Sequence, residues 1–118
     1  MSAAEYPLGW PEQRAVRINV WMAVLTKRSE ERAPGFGSTF YAEHLRKYWR
    51  IVMERPGDKY SRSVHAFLDP ATGDVFKSAG WKAPAKGARF NLRDDDSFDA
   101  LIESCDPYGS YLYASATS

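Results

Sequence analysis

Two histidines, one cysteine and a scatter of serines and aspartates are the residues in this 118-residue chain that could do acid–base or covalent chemistry. Ser63 and His65, with Asp69 or Asp74, come nearest to a hydrolytic set. An imidazole can take a proton from a hydroxyl while a carboxylate orients it. Residues two apart on a strand share a face, however, without being aligned for that transfer. Arg50, Arg62 or Lys77 would then stabilise developing negative charge. The chain has no Gly-x-Ser-x-Gly elbow, Walker loop or Gly-x-Gly-x-x-Gly turn. A small phosphate-ester hydrolase or nuclease using His65 and nearby aspartates is therefore the alternative reading, and no catalytic residue is assigned. His65 equally suits a strand position beside a cross-strand neighbour. Cys105, alone, cannot close an internal disulfide; it reads as a small buried hydrophobe in a reducing compartment.

Metal chemistry has little to build on. One cysteine and two distant histidines lack the paired spacing of a zinc site. Asp94, Asp95, Asp96 and Asp99 offer hard oxygens without the alternating ligands and central glycine of a calcium loop. They suit a helix N-terminus better, so neither metal nor cofactor is expected.

Local charge says more. Residues 76–93 carry Lys77, Lys82, Lys86, Arg89 and Arg93 and no acid, with Trp81 and Phe90 interleaved. Cations contact phosphates and flat rings stack on bases. Lys77, Trp81, Lys82, Lys86, Arg89 and Phe90 are thus the candidate ligand-binding set, for a nucleotide or a short single-stranded nucleic acid. A formal charge of +1 over the whole chain argues against long duplex DNA. The competing reading has the two rings covering a sheet and the lysines forming a solvated rim.

These residues need elements to position them. Hydrophobic residues at 44% and charged ones at 26% describe an ordinary globule, read as one domain over residues 1–118 with flexible tails at 1–9 and 114–118. The longest apolar run, residues 20–25, is too short to span a membrane, and no signal peptide is expected. Trp10 and Pro11 open a helix running towards Arg32, with Glu12 near its positive end. Val16, Val20, Ala23 and Val24 share one face of it, widened by Ile18, Trp21, Met22 and Leu25. Residues 16–20 also alternate as a strand would, but length and the polar tail 26–32 favour the helix. Pro34, Gly35 and Gly37 then force a loop. Residues 40–55 repeat at helical spacing yet are rich in aromatic and β-branched types, so periodicity leaves helix or strand open.

Residues 63–68 and 74–77 flank Asp69-Pro70-Ala71-Thr72-Gly73, a hairpin in which Pro70 presets the turn and Gly73 supplies positive φ. An isolated hairpin is marginal in water, which favours a strand partner at residues 48–55. Residues 79–89 read as irregular structure or a short turn. Ser97 or an aspartate of Asp94-Asp95-Asp96 caps a short helix ending near Cys105, and residues 111–113 are a candidate edge strand. The expected fold is α+β: an N-terminal helix on a small antiparallel sheet centred on the 63–77 hairpin, with a short C-terminal helix. Trp21, Val24, Ile51, Val64, Ala66, Leu68, Val75, Leu101 and Ile102 are the expected core.

Residues 63–86 carry an apolar strand, the Thr72-Gly73-Asp74 turn, an aromatic–lysine strand end and the tail Trp81-Lys82-Ala83-Pro84-Ala85-Lys86. This block resembles one found in small uncharacterised proteins of tailed bacteriophages. Arg89-Phe90-Asn91-Leu92 and Gly109-Ser110-Tyr111-Leu112-Tyr113 resemble that family's ending, so the likeness covers roughly the C-terminal half. It implies a phage origin, a host-cytoplasmic setting and a strand before the hairpin, and carries no established activity. Taken with a large aromatic supply, it leads to a non-enzymatic accessory protein that binds a host or phage partner and forms a small homo-oligomer.

Overall fold

Pro11 lies in the first turn of helix α1 (Trp10–Arg32), where its missing N–H is no loss, with Gly9 as cap and Glu12 facing the positive helix end. The computed structural model describes residues 9–57 and 61–113; the tails expected at either end lie outside these, apart from Gly9. Loop 33–38 folds back on α1, and the Glu30 carboxylate accepts from the backbone N–H of Gly35 (2.6 Å) and Gly37 (3.2 Å). The buried stripe of α1 is Ile18, Trp21, Met22, Leu25 and Ser29. Val16, Val20 and Ala23, expected at the centre of the buried face, point to solvent instead. The bulkier set wins because it removes more apolar area from water.

Residues 39–54 form two strands, β1 (Thr39–His44) and β2 (Trp49–Glu54), which settles the open choice. With β3 (Arg62–Leu68), β4 (Asp74–Ser78) and β5 (Pro84–Asn91) they make a five-stranded antiparallel sheet in chain order. The β3–β4 hairpin turns as expected: Asp69 Oδ1 accepts from Ala71 N at 2.9 Å, and Gly73 has φ 86°. β5 corrects the expectation of irregular structure over 79–89. Its small residues have weak strand propensity, but β4 supplies a ladder, and tertiary pairing overrides propensity. Pro84 begins the strand, where a missing donor is tolerated, and Gly87 takes φ 90°.

Alternation divides the sheet into two faces. Phe40, Ile51, Ala66, Leu68 and Val75 meet α1 and helix α2 (Asp95–Ser104), whose N-cap Asp94 accepts from Ser97 N. Trp21, Ile51, Ala66, Leu68, Val75 and Leu101 are buried as expected, while Val24 and Ile102 are half-buried at the margin of this core. Val64 pairs with Val52 on the opposite face and stays half-buried. There Val52 and Phe67 form a second, smaller apolar layer, with the Tyr48 ring edge-on to Phe67 and Phe76. Residues 110–112 form a 3₁₀ turn and not the expected edge strand, because Asp106-Pro107-Tyr108-Gly109 curls the chain and Gly109 adopts φ 80°. No helix among the described residues is long and apolar enough to cross a membrane.

Candidate functional site

The basic–aromatic set is split by the sheet. Trp81, on the β4–β5 connection, lies over the outer face, where the Arg50 guanidinium stacks 4.1 Å from its ring centroid. Arg50 Nη1 also donates to the Trp81 carbonyl at 2.7 Å, and its Nη2 is 2.9 Å from the Glu43 carboxylate. Arg50 is buried by these contacts, while Trp81 remains 37% exposed. Arg62 lies 5.6 Å from the same ring and donates to the Tyr41 hydroxyl. Lys82 and Lys86 are exposed.

Phe90 and Arg89 face the other way. A register shift pairs Val75 with Phe90 but Phe76 with Ala88, so Arg89 is an extra, bulged residue. Phe90 lies 5.9 Å from Tyr111 against the core. Arg89 donates to the carbonyls of Leu112 (2.7 Å), Lys86 (3.1 Å) and Gly87 (2.6 Å), which ties the C-terminal segment to β5. Lys77 lies near that segment too, 4.8 Å over the Tyr113 ring. The six residues therefore form no single ligand site; Trp81, Lys82 and Lys86 are the ones left facing solvent.

His65 is also a bulged residue, since Ile51 pairs with Ala66 and Val52 with Val64. It turns to the core side, edge-on to Phe40, and its Nε2 lies 2.6 Å from the Tyr111 hydroxyl. That hydroxyl also accepts from Trp21 Nε1 at 3.2 Å. Burial lowers the imidazole from its ordinary 6.5 to about 4, with Asp106 pulling weakly in the opposite direction. The aspartates of the hydrolase reading are engaged elsewhere. Asp69 holds the hairpin turn, and Asp74 Oδ1 accepts from Asn91 Nδ2 at 2.8 Å. Arg50 and Arg62 stand on the outer face, across the sheet from His65.

Beside His65 is a cleft of about 230 Å³ lined by β3, β4 and residues 107–113. Sequence reasoning missed both Tyr111 as the partner of His65 and Arg50 as the clamp on Trp81. Asp106-Pro107-Tyr108-Gly109 is a readable turn signal, with Pro at the second position and Gly at the fourth, and would have ruled out an edge strand at 111–113. The Arg50–Trp81 pair has no local signature; only the register of β2 against the sheet brings it together.

Neither a curated protein nor a solved structure matches the chain. A family model does, over residues 13–114, which takes in α1 from Gln13, the whole sheet, α2 and the segment carrying Tyr111. On that match the chain belongs to the family of unknown function DUF7717.

Proposed function

We propose that the protein is a non-enzymatic binding module, an accessory protein of a tailed bacteriophage that acts in the host cytoplasm by docking on a protein partner through Trp81. One observation carries the reading: the exposed indole is fixed in place by a buried arginine that both stacks on it and bonds its carbonyl. A rigid aromatic loses little entropy on binding, and Trp, Tyr and Arg dominate the energetics of interfaces. Lys82 and Lys86 bias such a surface towards an acidic partner. The phage origin and cellular setting rest on the likeness of residues 63–86, 89–92 and 109–113.

A nucleotide would stack on Trp81 with Lys82 and Lys86 at its phosphates, without help from Phe90 or Arg89, which makes it the weaker reading. Homo-oligomerisation belongs to the same proposal, since β1 is an edge strand and α1 exposes Val16 and Val20. Affinity capture from infected cells, wild type against Trp81→Ala, tests the main claim. A partner retained by the wild type and lost by the variant, at unchanged thermal stability, supports it. Equal recovery by both refutes it, as does His65-dependent turnover in a phosphatase and nuclease screen with and without divalent ions. Light scattering that finds a monomer at every concentration removes the oligomer.

A further inference from the structure

We propose that the cleft between β3, β4 and residues 107–113 binds a carboxylate, held by the Nδ1–H of His65 and the ammonium of Lys77. The argument begins with a hydrogen-bond chain. The Trp21 indole can only donate, so the Tyr111 oxygen accepts from it. The single Tyr111 proton then goes to His65 Nε2, which must be the unprotonated nitrogen. The reverse assignment would leave a buried hydroxyl proton without an acceptor, a costly state. The neutral ring therefore carries its proton on Nδ1. No described group accepts from Nδ1, and because no described side-chain polar atom is both enclosed and unpartnered, this nitrogen keeps an opening, on a residue that lines the cleft.

The rest of the cleft fits one anionic group. Lys77 is the only formally charged residue among the described residues of its lining, which matches a monoanion and not a phosphate dianion. Ser63 and Ser78 add hydroxyls at the wall. Asp106, the nearest acid to His65, is occupied by the N–H groups of Tyr108 and Ser110 and by the Ser110 hydroxyl. Gly109 lies along the imidazole edge, where a Cβ would come within 3.7 Å of Cε1 and 3.9 Å of Nδ1, ordinary van der Waals contact. At about 230 Å³ the cleft falls below the ~300–1,000 Å³ of sites that take whole ligands. It suits a small acid or the carboxylate end of a peptide. With its lone pair committed to Tyr111, His65 acts here as a donor and not as a base.

Nitrogen-15 NMR of the histidine side chains, with acetate as probe, tests the assignment. A protonated Nδ1 in the free protein is expected, with a saturable shift on adding acetate that chloride at equal ionic strength does not produce. Lys77→Met should weaken acetate binding about tenfold, the usual worth of a charge-assisted contact, while Lys77→Arg restores it and neither changes thermal stability. A peptide with a free C-terminus, its C-terminal amide and an amidated peptide with an internal glutamate then tell which carboxylate is taken; binding of acetate but of no peptide assigns the site to a small acid. An Nε2-protonated ring, no saturable shift, an acetate affinity unchanged in Lys77→Met, or tighter binding of inorganic phosphate than of acetate would overturn the proposal.

Discussion

Between pH 6.5 and about 4, acid should destabilise this protein through His65. In the unfolded chain its imidazole takes up a proton near 6.5; in the folded protein burial against Phe40 and Tyr111 delays this to about 4. The folded pKa is depressed, so the unfolded state binds the proton first. Stability is therefore full above 6.5, falls as pH drops towards about 4, and changes no further below that through this group. At about 1.4 kcal/mol per pH unit, the interval from 6.5 to about 4 is worth roughly 3 kcal/mol. A domain of this size has only about 5–15 kcal/mol in total, so the loss is large. His65→Gln supplies the matched control, because the amide oxygen can accept from Tyr111 but cannot titrate. Urea unfolding across the interval should show the wild type losing about 3 kcal/mol more than His65→Gln. If the two proteins lose stability in parallel, His65 is not the buried neutral donor described above.

Other expectations concern the joints of the fold. Arg89→Met should cost about 1–3 kcal/mol in urea unfolding, since three carbonyls lose a charged donor, whereas charge reversal at exposed Lys82 and Lys86 should stay within about 0.5 kcal/mol. Gly73→Ala should cost more than about 1 kcal/mol, because φ is 86° and the new Cβ would meet the Arg93 backbone nitrogen at 3.0 Å. Cys105 is buried, and burial raises its thiol pKa against the opposing pull of Arg28. Alkylation under native conditions should therefore be slow and should accelerate sharply in denaturant, which a mass-spectrometric time course would read.

The hairpin at Asp69–Gly73 is legible because it is written in adjacent residues with one geometric solution, whereas the acidic run marks the start of α2 without saying which residue caps it. β5 was not legible, because Ala85, Gly87 and Ala88 have no strand preference of their own and pair only because β4 offers a ladder. The same limit explains the misplaced helix face: Val16 and Val20 are apolar, yet which stripe faces the sheet is decided by Trp21 and Leu25 fitting the core. The division of the candidate set between two faces has a related cause. Residues 76–93 are one stretch of sequence but two faces of a sheet, and the bulge at Arg89 further reassigns which side chain goes where. His65 was singled out from its type alone, whereas its role depends on Tyr111, forty-six positions away.

The chain-order meander has a kinetic consequence. Every strand pairs with its neighbour in sequence, so the sheet can assemble by short loop closures, each entropically cheap. The Trp21–Tyr111 bond spans ninety positions and can close only after the sheet exists to carry His65 and Arg89. Docking of the C-terminal segment is then expected late, after the folding transition state. Tyr111→Phe should accordingly speed unfolding while leaving the refolding rate nearly unchanged, so that the residues which join the molecule last set how long it stays folded.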